Sequence, residues 1–113
     1  MKSGEIHQYV LDEDTAYGAG ILNKPDVSLS WYHSSGRVIN QRVISIEHEG
    51  FPGDVFPDAQ IQASIDLNRY LVAKWSIPVD RDHLVGHYRL DSVNRINCPG
   101  LSFPWNALFN ALT

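Results

Sequence analysis

The sequence predicts an α/β fold with helices packed on a central sheet, and three stretches carry that prediction. "RVISIEHEG", residues 42–50, alternates with a period of two. After Asp58 comes an amphipathic run with one wide apolar arc, and "PWNALFNAL" closes the chain as a second helical pattern. Taken in order the segments read strand, strand, helix, strand, helix.

Each element has its own warrant. "EIHQYVL", residues 5–11, is short, rich in β-formers and preceded by a Ser-Gly turn signal, so a strand is expected. Residues 12–41 carry Gly18, Gly20, Pro25 and Gly36 with no periodicity, and read as a long excursion of turns around Trp31, Tyr32 and His33. Loops of that length are usually functional or disordered. In the alternating stretch, Ile44, Ile46 and His48 share one face, while Val43, Ser45, Glu47 and Glu49 share the other.

Asp58 suits the N-cap of the first helix. Its buried arc is expected to hold Ile61, Ser64, Ile65, Leu67, Asn68, Leu71, Val72 and Trp75, opposite Gln62, Asp66, Arg69, Tyr70, Ala73 and Lys74. Asn68 inside that arc is expected to hydrogen-bond to backbone. The helix must end before Pro78, because the residue preceding a proline is driven out of the α region. "DHLVGHY" then reads as a short strand, "RLDSVNRINCPG" as a loop, and the last helix carries Pro104 in its first turn.

Composition narrows the function. A chain of 113 residues suits a single domain, here 1–113, with one core. Net charge of −4 and nine scattered Lys and Arg argue against a nucleic-acid partner, since no stripe could neutralise several phosphates. No segment approaches the roughly 20 apolar residues that span a bilayer, so no membrane partner is expected. "MKSGEIHQYV" lacks the apolar run of a signal peptide. The chain as written thus has no export route of its own and is expected to be made in the cytoplasm.

The single cysteine, Cys98, excludes an internal disulfide and leaves a buried thiol, a reactive thiol or a metal ligand. His87 lies eleven positions earlier, and imidazole and thiolate converge on Zn²⁺ without needing sequence adjacency. The competing readings are a hydrogen-bonded histidine and a small buried hydrophobe. Glu47 shares its face with Ser45 and Glu49, so it presents a carboxylate away from core or simply to solvent.

Together these stretches resemble the zinc-dependent N-acetylmuramoyl-L-alanine amidases, a family that includes phage endolysins, anhydro-muropeptide amidases and peptidoglycan recognition proteins. "SGEIHQYVLDEDTAYGAG" is similar to the family's Asp-Gly-x-Ile-x-Gln strand and Ala-Trp-His-Ala-Gly segment. "NQRVISIEHEG" resembles Asn-x-x-x-Ile-x-Ile-Glu-x-Glu-Gly, and "GHYRLDSVNRINCPGLSFPW" resembles Gly-His, a loop, Asp/Cys-Pro-Gly and Phe-x-Trp.

The resemblance implies a mixed central sheet flanked by helices, a Zn²⁺ cofactor and a peptidoglycan or muropeptide substrate. It implies His87 and Cys98 as metal ligands and Glu47 as general base. Three protein ligands would leave the fourth position of a catalytic zinc to water. The family's oxyanion lysine falls at Ile96 here, with Arg95 beside it as a replacement. Gly18 stands where the family has a histidine, and Tyr17 where it has tryptophan. Trp31 and Tyr32, with His33 adjoining, are candidates for sugar or stem-peptide contact, because aromatic faces offer amphipathic surface.

The family's first histidine ligand lies on a strand upstream of the opening stretch, so the chain is expected to be truncated at its N-terminus and to lack that strand. None of the other histidines matches a ligand position. His48 alternates away from Glu47, and His83 on a strand would lie about 13 Å from His87. His7 and His33 fall on the opening strand and the aromatic loop. Three functions follow: a zinc-dependent amidase, an inactive peptidoglycan-binding module, or a structural fragment with neither metal nor ligand.

Overall fold

The computed structural model describes residues 1–32 and 39–113. Their regular elements are two α-helices, α1 (Asp58–Trp75) and α2 (Trp105–Leu112), and two 3-10 turns, Ile39–Gln41 and His87–Arg89. No strand occurs among the described residues, which corrects the expected α/β fold with its mixed central sheet. Residues 43–48 have no regular secondary structure, and residues 5–9 likewise. The reason is that alternation specifies faces and not partners. A strand exists only where a neighbour supplies the N–H and C=O groups of a ladder. The turn and loop hydrogen bonds among the described residues join single points, such as Asp26 N–H to the Arg89 carbonyl at 2.7 Å and Ser92 N–H to that of Asn23 at 3.0 Å. "DHLVGHY" is likewise a turn followed by the 3-10 turn at His87.

The chain forms two compact units. The first comprises residues 1–6, 48–85 and 99–113 and holds both helices. Pro57, extended at φ −61° and ψ 149°, is the N-cap of α1, and Asp58 is its first helical residue. Asp58 in the first turn and Lys74 in the last complement the helix dipole. The helix stops at Ser76, which adopts the left-handed conformation and donates its N–H to the Val72 carbonyl, two residues ahead of Pro78.

Gln60, Ser64, Ile65, Asn68 and Leu71 form the buried face of α1, while Trp75 is exposed. Asn68 Nδ2 donates to the Ser64 carbonyl at 2.8 Å, the backbone bond expected of it. Ile65, Phe103 and Leu108 form the core of this unit, with Phe56, Ile61, Trp105, Ala111 and Leu112 packed around them. Phe103 meets Phe56 edge-on at 5.4 Å and His48 edge-on at 5.1 Å, an arrangement favoured by the ring quadrupoles. His48 Nε2 also bonds Ser64 Oγ at 2.9 Å.

The second unit comprises residues 7–47 and 86–98. Here Ala19, Leu29, Ile39, Leu90 and Asp91 are buried. Arg89 binds the Asp26 carboxylate through Nε at 3.0 Å and Nη2 at 2.8 Å, and Ser92 Oγ donates to the Lys24 carbonyl. Polar ties of this kind order a segment that has few apolar side chains to bury.

Candidate functional site

Every site residue expected from the sequence belongs to the second unit: Glu47, His87, Cys98, Arg95, Trp31 and Tyr32. His87 opens a 3-10 turn directly after the buried Gly86. Its Nε2 lies 2.8 Å from the Ala19 carbonyl oxygen. A carbonyl only accepts, so Nε2 carries the proton in this bond, and in the neutral ring Nδ1 keeps the lone pair.

Cys98 is half-buried and its thiol is free. Its carbonyl accepts the Tyr88 N–H at 3.1 Å, which ties the backbone at Cys98 to the residue after His87. Burial raises the pKa of the thiol, and the negative charge of Glu47 pushes it the same way, while Arg95 opposes both. Glu47 itself is exposed, as is Arg95, whose guanidinium donates to the Asn94 carbonyl at 3.3 Å. Trp31 and Tyr32 are half-buried after a turn closed by Tyr32 N–H to the Leu29 carbonyl at 3.0 Å. The charges that act on Cys98 come from Glu47 and Arg95, so those three form one electrostatic neighbourhood.

His7, His48 and His83 have partners of their own. His83 Nδ1 bonds Asp80 Oδ1 at 2.7 Å, and His7 lies 6.1 Å from the Tyr9 ring. His48 packs with the aromatic core, and His33 lies outside the described residues.

Three contributors escaped the sequence reading. Ala19 offers a backbone carbonyl, which no side-chain pattern marks. Asn40 Oδ1 accepts the Ala19 N–H at 2.9 Å, and its place at the head of the "NQRVISIEHEG" stretch was the signal that could have found it. Asp91, 3% exposed, accepts the N–H groups of Val93 and Asn94, which fixes the start of the loop leading to Cys98. The Asn94 backbone bond, before other causes, holds its carboxyl below the usual range.

The donor chemistry suits zinc in kind, since it offers an imidazole with one oriented lone pair and a thiol. It falls short in number. No group of three His, Cys, Asp or Glu side chains that could hold a metal occurs among the described residues.

The family model for N-acetylmuramoyl-L-alanine amidases matches residues 1–101, and the chain belongs to that family. Among curated proteins it is similar to the 1,6-anhydro-N-acetylmuramyl-L-alanine amidase AmpD of Salmonella typhimurium strain LT2. The two are 34% identical over 104 residues, covering 92% of this chain and 49% of the relative. The protein of the same name from Haemophilus influenzae strain Rd is 27% identical over 111 residues, covering 98% of this chain and 54% of the relative. The chain therefore spans about half the length of the curated relatives it matches. No solved structure matches it significantly. No helix among the described residues is long and apolar enough to cross a membrane.

Proposed function

We propose that the chain is one amidase-like domain that acts on the amide between the lactyl group of N-acetylmuramic acid and L-alanine, in anhydro-muramyl peptides or related peptidoglycan fragments. Membership of the amidase family over residues 1–101 is the observation that carries this reading. The names of the relatives favour 1,6-anhydro-N-acetylmuramyl-L-alanyl compounds as substrate.

In this reading His87, through Nδ1, and Cys98, through Sγ, are the two side chains of this chain that would hold zinc. When bound there, zinc would supply Lewis acidity and make water a competent nucleophile near neutral pH. Glu47 accepts the proton of the attacking water on a carboxylate oxygen and delivers it to the nitrogen of L-alanine as the C–N bond breaks. The products are the lactyl carboxylate and a free alanyl amine. Arg95 offsets negative charge on the carbonyl oxygen, in place of the family's lysine. Trp31 and Tyr32 present aromatic faces to sugar or stem peptide.

The test is zinc titration of the chain, of His87→Ala and of Cys98→Ser, with muropeptide binding measured alongside. Stoichiometric zinc that both substitutions weaken supports the reading. Muropeptide binding that is indifferent to zinc and to both substitutions would replace it with a peptidoglycan-binding module.

A further inference from the structure

The Asn at the head of "NQRVISIEHEG" has no part in the chemistry above, yet it stands one hydrogen bond away from the backbone that grips His87. Asn40 lies in the 3-10 turn Ile39–Gln41, and its Oδ1 accepts the Ala19 N–H at 2.9 Å. The carbonyl of the same Ala19 takes the proton of His87 Nε2 at 2.8 Å. Ala19 is 3% exposed, and the preceding Gly18 lies so close to the Ser45 side chain that a Cβ there would overlap it. The peptide that orients the imidazole is therefore held by a hydrogen bond from the Ala19 N–H to Asn40 Oδ1, by the close approach of Gly18 to the Ser45 side chain, and by burial of Ala19.

We propose that Asn40 is a positioning residue for His87, acting through Ala19 to hold the imidazole with Nε2 protonated and Nδ1 open. The inference rests on His87 being a ligand only in its consequence for zinc, since the placement of the ring proton is a property of the metal-free chain. Partners that fix the tautomer of a ligating histidine typically matter 10–100-fold in metal affinity. Asn40 acts one bond further out, so a loss of about tenfold is expected on its removal.

The experiment is ¹⁵N NMR of the neutral His87 ring in the metal-free chain, compared with Asn40→Ala and Asn40→Asp. Asparate at this position keeps an oxygen to accept the Ala19 N–H. The chain and Asn40→Asp are expected to show the Nε2–H tautomer, and Asn40→Ala a mixture, with zinc affinity about tenfold weaker. Leu108→Ala, which loosens the core of the first unit, controls for general destabilisation and should leave the tautomer unchanged. A dominant Nδ1–H tautomer in the unsubstituted chain overturns the proposal even if Asn40→Ala fails to fold. So does an Asn40→Ala chain with an unaltered ring spectrum. If the unsubstituted chain binds no zinc, the proposed function falls, while the tautomer comparison still decides the role of Asn40.

Discussion

Gly18→Ala tests the packing that holds the Ala19 carbonyl in place. Gly18 is not among the residues with positive φ, so alanine meets no backbone penalty, and the whole cost is steric. The new Cβ would fall 2.5 Å from Ser45 Cβ, against an ordinary carbon contact of about 3.5–4.0 Å. Neither Cβ can swing aside, because each is fixed to its backbone, so one segment must move by about 1 Å. Overpacking of this kind typically costs about 1–3 kcal/mol, and a clash between two rigid atoms belongs near the top of that range. For a chain of this size the fall in Tm is about 10 °C. The assay is a double-mutant cycle by thermal and urea unfolding with Ser45→Gly, which removes both atoms that obstruct the new methyl group. The pair should recover about 2 kcal/mol relative to the sum of the single changes. Additive effects, or a Gly18→Ala chain as stable as the parent, would refute the close approach and with it the rigidity ascribed to Ala19.

Three further outcomes are expected. Leu108 is 4% exposed, so Leu108→Ala loses about 2.4 kcal/mol of transfer energy and leaves a cavity, for a total of about 3 kcal/mol by urea unfolding; a loss under about 1 kcal/mol would contradict the core assignment. The Ser28 and Arg89 hydrogen bonds hold the Asp26 carboxyl down to about 2 from its ordinary 3.8, so its contribution to stability is present above the unfolded value and is lost as pH falls through the folded one. Melting curves of Asp26→Asn should accordingly show a shallower decline between about pH 4 and 2 than those of the parent, and identical slopes would remove the ion pair from the argument. Burial first and the charge of Glu47 second keep the Cys98 thiol protonated, so iodoacetamide should modify it more slowly than a free thiol at pH 8, and Glu47→Gln should speed the reaction; an unchanged rate would separate Glu47 from Cys98.

The helices were legible because their signals are local. The apolar arc after Asp58 and the stop before Pro78 depend on residues within one or two turns, and α1 runs from Asp58 to Trp75, with Pro57 and not Asp58 at its N-cap. The strands were not, because alternation in "RVISIEHEG" is a property of one segment and pairing is a property of two. The side chains that the sequence singled out for their chemistry, Glu47, His87 and Cys98, fall within one compact unit. The anchor of His87 is a backbone carbonyl that every residue possesses, so only the fold could single out Ala19. Asn68 shows the reverse case, a polar side chain in a buried arc for which a backbone partner was expected, and the Ser64 carbonyl one helical turn earlier supplies it.

The most direct measurement is release of the alanyl peptide from a 1,6-anhydro-N-acetylmuramyl-L-alanyl peptide, followed with and without chelator for the chain and for Glu47→Gln. Hydrolysis that chelator abolishes and added zinc restores is expected, with Glu47→Gln binding zinc normally but turning over about 10²–10⁴-fold more slowly. Full turnover by Glu47→Gln, or hydrolysis indifferent to chelator, would contradict the assignment of Glu47 as base and of His87 and Cys98 as ligands.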